Sequence, residues 1–164
     1  MPRILIAGIG NIFLGDDGFG VEVAQRLREE PLADGVTVVD FGIRGVHLAY
    51  ELIDGGYDAA ILVDAVSCGG EPGTLYAIDA SAGDVQGREA VADAHSLTPD
   101  AVLAWVRRVG GQTPRVMVVG CEPAAVEESM GLSPPVAASV DRAMEMVRDL
   151  VAEVYSVHGI TPCA

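Results

Sequence analysis

Ile4-Leu5-Ile6-Ala7-Gly8-Ile9-Gly10-Asn11-Ile12-Phe13-Leu14-Gly15-Asp16-Asp17-Gly18-Phe19-Gly20 joins an apolar run to a glycine-punctuated turn that ends in two adjacent acids. The run has no polar interruption, as suits a parallel strand covered on both faces, and the turn leads into a helical pattern over 19–29. Strand, turn and helix in that order put the turn at the carboxyl edge of a sheet, where open α/β folds bind ligands. Paired carboxylates there repel phosphate and tolerate a metal cation.

Further strands rich in β-branched residues are expected at 36–41, 59–66, 74–78 and 115–121. Helical patterns lie between them at 46–53 and 99–109, and a long one runs from 134 to about 155. In the last, Val136, Val140, Ala143, Met144, Val147, Leu150, Val151 and Val154 recur at three and four and make one apolar stripe. Thr98 before Pro99 and Ser133 before Pro134 are expected N-caps. Alternating strands and helices predict an α/β three-layer sandwich, a twisted and mostly parallel five-stranded sheet with helices on both faces. Glu71-Pro72-Gly73 leaves no room for a crossover helix before 74–78, so that strand is expected to run antiparallel. One domain over 1–164 is expected, without repeat or linker. Residues 83–94 read as irregular and the tail from 156 as frayed.

At 164 residues such a chain buries roughly 70% of its unfolded surface. The net charge of −14 excludes a broad phosphate-neutralising face, so no nucleic-acid partner is expected. Half the residues are hydrophobic. The apolar runs nevertheless fall well short of the ~20 residues of a membrane span, and Met1-Pro2-Arg3 leads at once into a strand rather than a secretory signal. A cytoplasmic chain is the expectation. Cys68, Cys121 and Cys163 are too few and too scattered for a disulfide framework or a CxxC zinc site, and read as reduced thiols.

Gly8 and Gly10 begin a GxGxxG pattern, but the third glycine position is Phe13 and the helix entrance carries acids, so a dinucleotide fits poorly. Helix capping accounts for one of Asp16 and Asp17 more readily than for both. Asp64 ends the run Ala60-Ile61-Leu62-Val63 and belongs at the edge of a central strand beside the first, either capping the next turn or serving a site. Among the histidines, His47 falls in a helical pattern and His158 in the tail, which leaves His95 in a loop near the sheet edge. Two carboxylates and an imidazole make a borderline set for a divalent metal such as Zn or Ni, with positions open to water or substrate. Cys68 reads as a small buried thiol, and Ser67, Ser96 and Ser133 have no GxSxG elbow around them.

These stretches, together with Val63-Asp64-Ala65, Glu71-Pro72-Gly73-Thr74, Ala94-His95-Ser96, Gly120-Cys121-Glu122-Pro123 and Gly131-Leu132-Ser133-Pro134-Pro135-Val136, resemble the [NiFe]-hydrogenase maturation endopeptidases, in order and over nearly the whole chain. The resemblance implies an enzyme that removes a C-terminal extension from the hydrogenase large-subunit precursor after nickel insertion. It implies a metal-binding set of Asp17, Asp64 and His95, meeting nickel carried by the substrate, with zinc or cadmium as other divalent occupants. Asp40 matches a further acid of the family, as a general base or a substrate-orienting group. Where many members have Gly-Thr-x-Gly after the second strand, this chain has Gly42-Ile43-Arg44-Gly45, and Arg44 reads as a substrate contact or an exposed cation.

Asp17, Asp40, Asp64 and His95 are therefore the expected catalytic group. A substrate-borne cation bound by three of them would anchor the scissile peptide and act on its carbonyl or on water. Two other readings compete. One is a nickel-dependent assembly chaperone that binds without cutting; the other is a hydrolase of the peptidyl-tRNA hydrolase type, whose RNA substrate the acidic charge opposes.

Overall fold

In a computed structural model, residues 1–80 and 98–159 are described. His95, the whole of the segment read as irregular and Cys163 lie outside them. The strands are β1 (Ile4–Ile9), β2 (Val36–Gly42), β3 (Ala59–Ala65), β4 (Leu75–Asp79) and β5 (Arg115–Cys121). The helices are α1 (Phe19–Arg28), α2 (Gly45–Asp54), α3 (Pro99–Arg108), α4 (Pro134–Ala137) and α5 (Val140–Val157). A 3-10 turn over Gly15–Gly18 precedes α1.

The strands form one sheet in the order β2-β1-β3-β5-β4. All neighbours are parallel except β4, which runs antiparallel to β5 as the short turn before it requires. β4 lies beyond β5 rather than beside β3, so the chain passes over one strand position before returning.

Alternation along β1 sorts the core into two layers. Ile4 and Ile6 join Phe19, Val23 and Leu27 of α1 and Val140, Met144 and Val147 of α5 on one face. Leu5, Ala7 and Ile9 join Leu48 and Leu52 of α2 and Val102 and Val106 of α3 on the other. A strand that buries both faces has no polar position to spare, and this is why its sequence is a continuous apolar run. On the α2/α3 face, Tyr50 meets Trp105 edge-on at 5.6 Å between ring centroids.

The chain leaves β1 for β2 on one side and comes back to β3 on the other, so the carboxyl ends of β1 and β3 form the switch point where helices diverge to opposite faces. Helix α1 lies unusually close to the sheet there. A Cβ on Gly20 would stand 1.9 Å from the Val63 carbonyl oxygen and 2.4 Å from that of Ile9.

Three expectations are corrected. The long C-terminal helix is two, α4 and α5, joined at Ala138 and Ser139, and Ser139 sends its hydroxyl to the Gly73 and Pro135 carbonyls. The tail read as frayed from 156 is still helical at Ser156 and Val157. Thr98 caps α3 through Ala101 N–H at 3.2 Å, but Ser133 does not cap α4, because its hydroxyl is used elsewhere.

Replacing Gly20 by Ala forces a methyl group against backbone that cannot turn away, and is expected to cost at least about 2 kcal/mol in urea unfolding; a loss of only a few tenths would mean that α1 stands off the sheet.

Candidate active site at the sheet edge

The two adjacent acids of the first turn point in different directions. Asp16 is buried, 1% exposed. Its carboxylate accepts from the backbone N–H groups of Ala124 (2.8 Å), Ala125 (3.1 Å) and Ser133 (2.7 Å), and from the Ser133 hydroxyl (2.8 Å). Burial acts to raise its pKa, but the donors from Ser133, Ala125 and Ala124 together outweigh it and hold the carboxyl below its ordinary value. Asp16 therefore fastens the loop after β5 onto the loop after β1. Neither acid caps α1, whose N-cap is Gly18 with no side-chain bond.

Asp17 is half-buried and accepts from Asn11 N–H at 2.8 Å, an arrangement that folds the first turn over its own carboxylate. Asp64, the penultimate residue of β3, is 3% exposed and accepts from Ala65 N–H at 2.8 Å. Its pKa is raised well above the usual carboxylate range, first by burial and then by the negative charge of Asp17. Gly10 packs against both residues. Its φ is +138°, and a Cβ there would stand 1.8 Å from the Asp17 backbone carbonyl oxygen and 3.7 Å from Asp64 Oδ1. A side chain at position 10 would drive into the Asp17 backbone and displace the first turn.

Two of the three expected metal ligands thus face one another electrostatically at the switch point. His95 lies outside the described residues. Among those residues no group of three His, Cys, Asp or Glu side chains is arranged to hold a metal. The chemistry of the pair still suits a cation, because a buried carboxylate beside a second one is relieved by positive charge or by a proton.

Asp40 is in register with Gly8, itself in register with Val63, so Asp40 and Asp64 flank β1 on either side, their backbones about 10 Å apart at the usual strand spacing. A bulge follows at once: Gly8 pairs with Asp40 but Ile9 with Gly42. The Asp40 carboxylate receives Gln25 Nε2 at 3.4 Å. Arg44 folds back, donating through its guanidinium to the Asp40 and Phe41 carbonyl oxygens, so in this structure it closes the end of β2.

Glu122 received no role in the sequence reading. It is buried and accepts from Cys68 N–H (2.8 Å), Gly69 N–H (3.3 Å) and the Tyr76 hydroxyl (2.8 Å), and the Cys68 bond is the largest influence holding its pKa down. It pins the loop that follows Asp64. Two signals in the sequence point to it: an acid directly after an apolar strand, as with Asp64, and its place in Gly120-Cys121-Glu122-Pro123, one of the stretches that carry the family resemblance. Cys68 is exposed rather than buried; Cys121 is the buried thiol, its pKa pushed up to about 11 by burial.

The switch point of this twisted, mostly parallel α/β sheet thus carries two acids, Asp17 and the buried Asp64. Comparison with known proteins specifies the family. The family described as HycI: Hydrogenase maturation protease matches residues 21–150. The chain is 34% identical over 156 residues to a protein of Methanothermobacter thermautotrophicus named coenzyme F420 hydrogenase subunit delta, covering 90% of this chain and 93% of the relative. It is 33% identical over 147 residues to the hydrogenase expression/formation protein HupD of Rhizobium leguminosarum bv. viciae, covering 88% and 71%. Among solved structures, the hydrogenase maturating endopeptidase HybD of E. coli superposes with a TM-score of 0.72 at 27% identity, covering 98% of this chain and 96% of that one. The chain belongs to the hydrogenase maturation protease family. No helix among the described residues is long and apolar enough to cross a membrane.

Two outcomes follow from the opposite environments of Asp16 and Asp64. Because Asp16 has a folded-state pKa below the ordinary 3.8, its contribution is present above that pH and fades as pH falls through the folded-state value. Asp16→Ala should cost about 1.5–3 kcal/mol at pH 7 by urea unfolding, with a smaller difference in acid. Asp64 has the reverse sign: its folded-state pKa is raised, so its charge burdens the fold at neutral pH and ceases to do so below 3.8. Asp64→Asn should therefore gain about 0.5–2 kcal/mol at pH 7, with the gain fading in acid and absent below 3.8; a loss of stability at pH 7 would contradict the placement of the charge.

Proposed function

We propose that this chain is the endopeptidase that removes the C-terminal extension of a [NiFe]-hydrogenase large-subunit precursor after nickel insertion, and that Asp17, Asp64 and His95 meet the nickel that the precursor carries. The observation that carries the reading is the buried Asp64 opposed by the negative charge of Asp17 at the switch point of the sheet, an excess of acid beside the backbone of Gly10. A cation brought by the substrate relieves that excess, so affinity depends on whether the metal has been loaded.

In this reading Asn11 N–H and Ala65 N–H hold one oxygen of each carboxylate, and the other oxygen of each is left to meet the incoming ion. His95 adds a neutral nitrogen donor. The substrate's nickel supplies Lewis acidity beside the scissile carbonyl. Asp40, across β1 and steadied by Gln25, orients the peptide or takes a proton from water. The partner is the large-subunit precursor; nucleic acid has no part.

Binding without cleavage is the second reading, and one observation favours it: a relative that matches over most of its length is named as a hydrogenase subunit. Mass spectrometry of the nickel-loaded precursor separates the two, since a released C-terminal peptide marks a protease and an unchanged mass in a stable complex marks an assembly partner. For the protease, loaded precursor should be cut much faster than nickel-free precursor, and equal rates would overturn the role of the metal. Asp17→Ala and His95→Ala should each lower kcat/KM by at least the about 10–100-fold seen when even outer-shell partners of a metal are lost; undiminished cleavage removes that residue from the site.

A further inference from the structure

Two loops meet beside Asp17 and carry large apolar side chains into solvent. Ile12 and Phe13 are 40% and 65% exposed on the first, and Val126 and Met130 are 50% and 66% exposed on the second. They are not loose ends. Ser129 N–H donates to the Phe13 carbonyl (3.0 Å), Gly15 N–H to the Ser129 carbonyl (2.8 Å) and Asp16 N–H to the Ala125 carbonyl (3.1 Å), forming a short ladder between the loops. The buried Asp16 carboxylate locks the same junction from beneath. The ledge also begins at the metal-facing turn itself: the backbone N–H next to Ile12, that of Asn11, is the one bonded to Asp17, and a Cβ on Gly18 would touch Ile12 Cα at 3.1 Å.

Held rigidly, four exposed apolar side chains on two bonded loops are a surface awaiting an occupant, since folded chains rarely leave such groups together in water without a use. Glu127 and Glu128 stand between Val126 and Met130, exposed and without an ion pair among the described residues, while the six surface ion pairs lie elsewhere. The surface is therefore apolar with an acidic border, on a chain of net charge −14.

We propose that Ile12, Phe13, Val126 and Met130 form a preformed docking ledge for an apolar segment of the precursor polypeptide bearing basic neighbours, which Glu127 and Glu128 receive. The inference rests on the function proposed above and deepens it, assigning recognition of the polypeptide to a surface separate from the carboxylates. An aromatic and a methionine in the ledge, its two most exposed side chains, fit this use, because an aromatic side chain supplies contact area at low entropic cost and a thioether adapts its shape. Their contacts are made equally before and during the reaction, so their loss should raise KM and leave kcat in place.

The test is the rate of cleavage of nickel-loaded precursor against precursor concentration, for the wild type, Phe13→Ser and Met130→Ser. Each variant is expected to raise KM by at least about tenfold with little change in kcat. Phe13→Leu and Met130→Leu should recover most of it, and the urea midpoints should be unchanged because both side chains are exposed. The double variant Glu127→Gln, Glu128→Gln should flatten the salt dependence of kcat/KM. Unchanged KM, or a fall in kcat alone, overturns the ledge, and so does a dimer of this chain that Phe13→Ser dissolves without altering KM. Should Phe13→Ser prove unfolded, Val126→Ser and Met130→Ser carry the same expectation. If the wild type binds precursor without cutting it, the protease reading falls while the ledge is still tested, because the same variants must then weaken the Kd for precursor.

Discussion

The carboxylate of Asp16 is the constraint on which the working edge of the molecule depends. It is buried, it stays ionised through donors drawn from residues more than a hundred positions away, and it closes the loop after β5 onto the loop after β1. A buried charge with too few donors is costly, whereas one ringed by backbone N–H groups becomes a fastener that demands a specific geometry. With that fastener closed, the turn containing Asp17 has a fixed floor, and the exposed apolar side chains of both loops have fixed positions.

Its neighbour in sequence has the opposite part. Asp17 and Asp64 repel one another at the switch point, where Gly10 packs against both residues, and Asp64 is driven away from its charged form by burial and by Asp17. One acid of the first turn thus stabilises the edge while the other stores repulsion in it. The fold keeps this imbalance at the switch point, where the helices diverge and a ligand can enter. Glu122 repeats the fastening device on the far side of Asp64 by holding the Cys68 and Gly69 N–H groups.

Much of this architecture is legible in the residues. The apolar runs of β1, β3 and β5 mark buried parallel strands, the short Glu71-Pro72-Gly73 turn marks the antiparallel β4, and Asp64 at the end of such a run marks an edge site. The rest depends on distance in space. Asp16 and Asp17 are chemically identical and adjacent, and only the return of residues 124–133 to the first loop decides which of them turns inward. The break between α4 and α5 is hidden because the apolar stripe continues through it, while at the junction the Ser139 hydroxyl donates to the distant Gly73 carbonyl. Arg44 reads equally as a substrate contact or an exposed cation, and only the bulge at the end of β2 brings the Asp40 and Phe41 carbonyl oxygens to it. His95 shows the limit of local sequence: a histidine in a loop has no periodicity to fix its direction.

In the function proposed above, Asp17, Asp64 and His95 converge on one ion. Anomalous diffraction at the metal edge, from crystals of this protein soaked in nickel or cadmium, tests it most directly. The account predicts a single strong peak at the carboxyl ends of β1 and β3, within metal-ligand reach (about 2.0–2.2 Å for Zn-type sites, somewhat longer for cadmium) of oxygens from Asp17 and Asp64 and a ring nitrogen of His95. A peak elsewhere on the acidic surface, with the imidazole of His95 directed away from the two carboxylates, would contradict it.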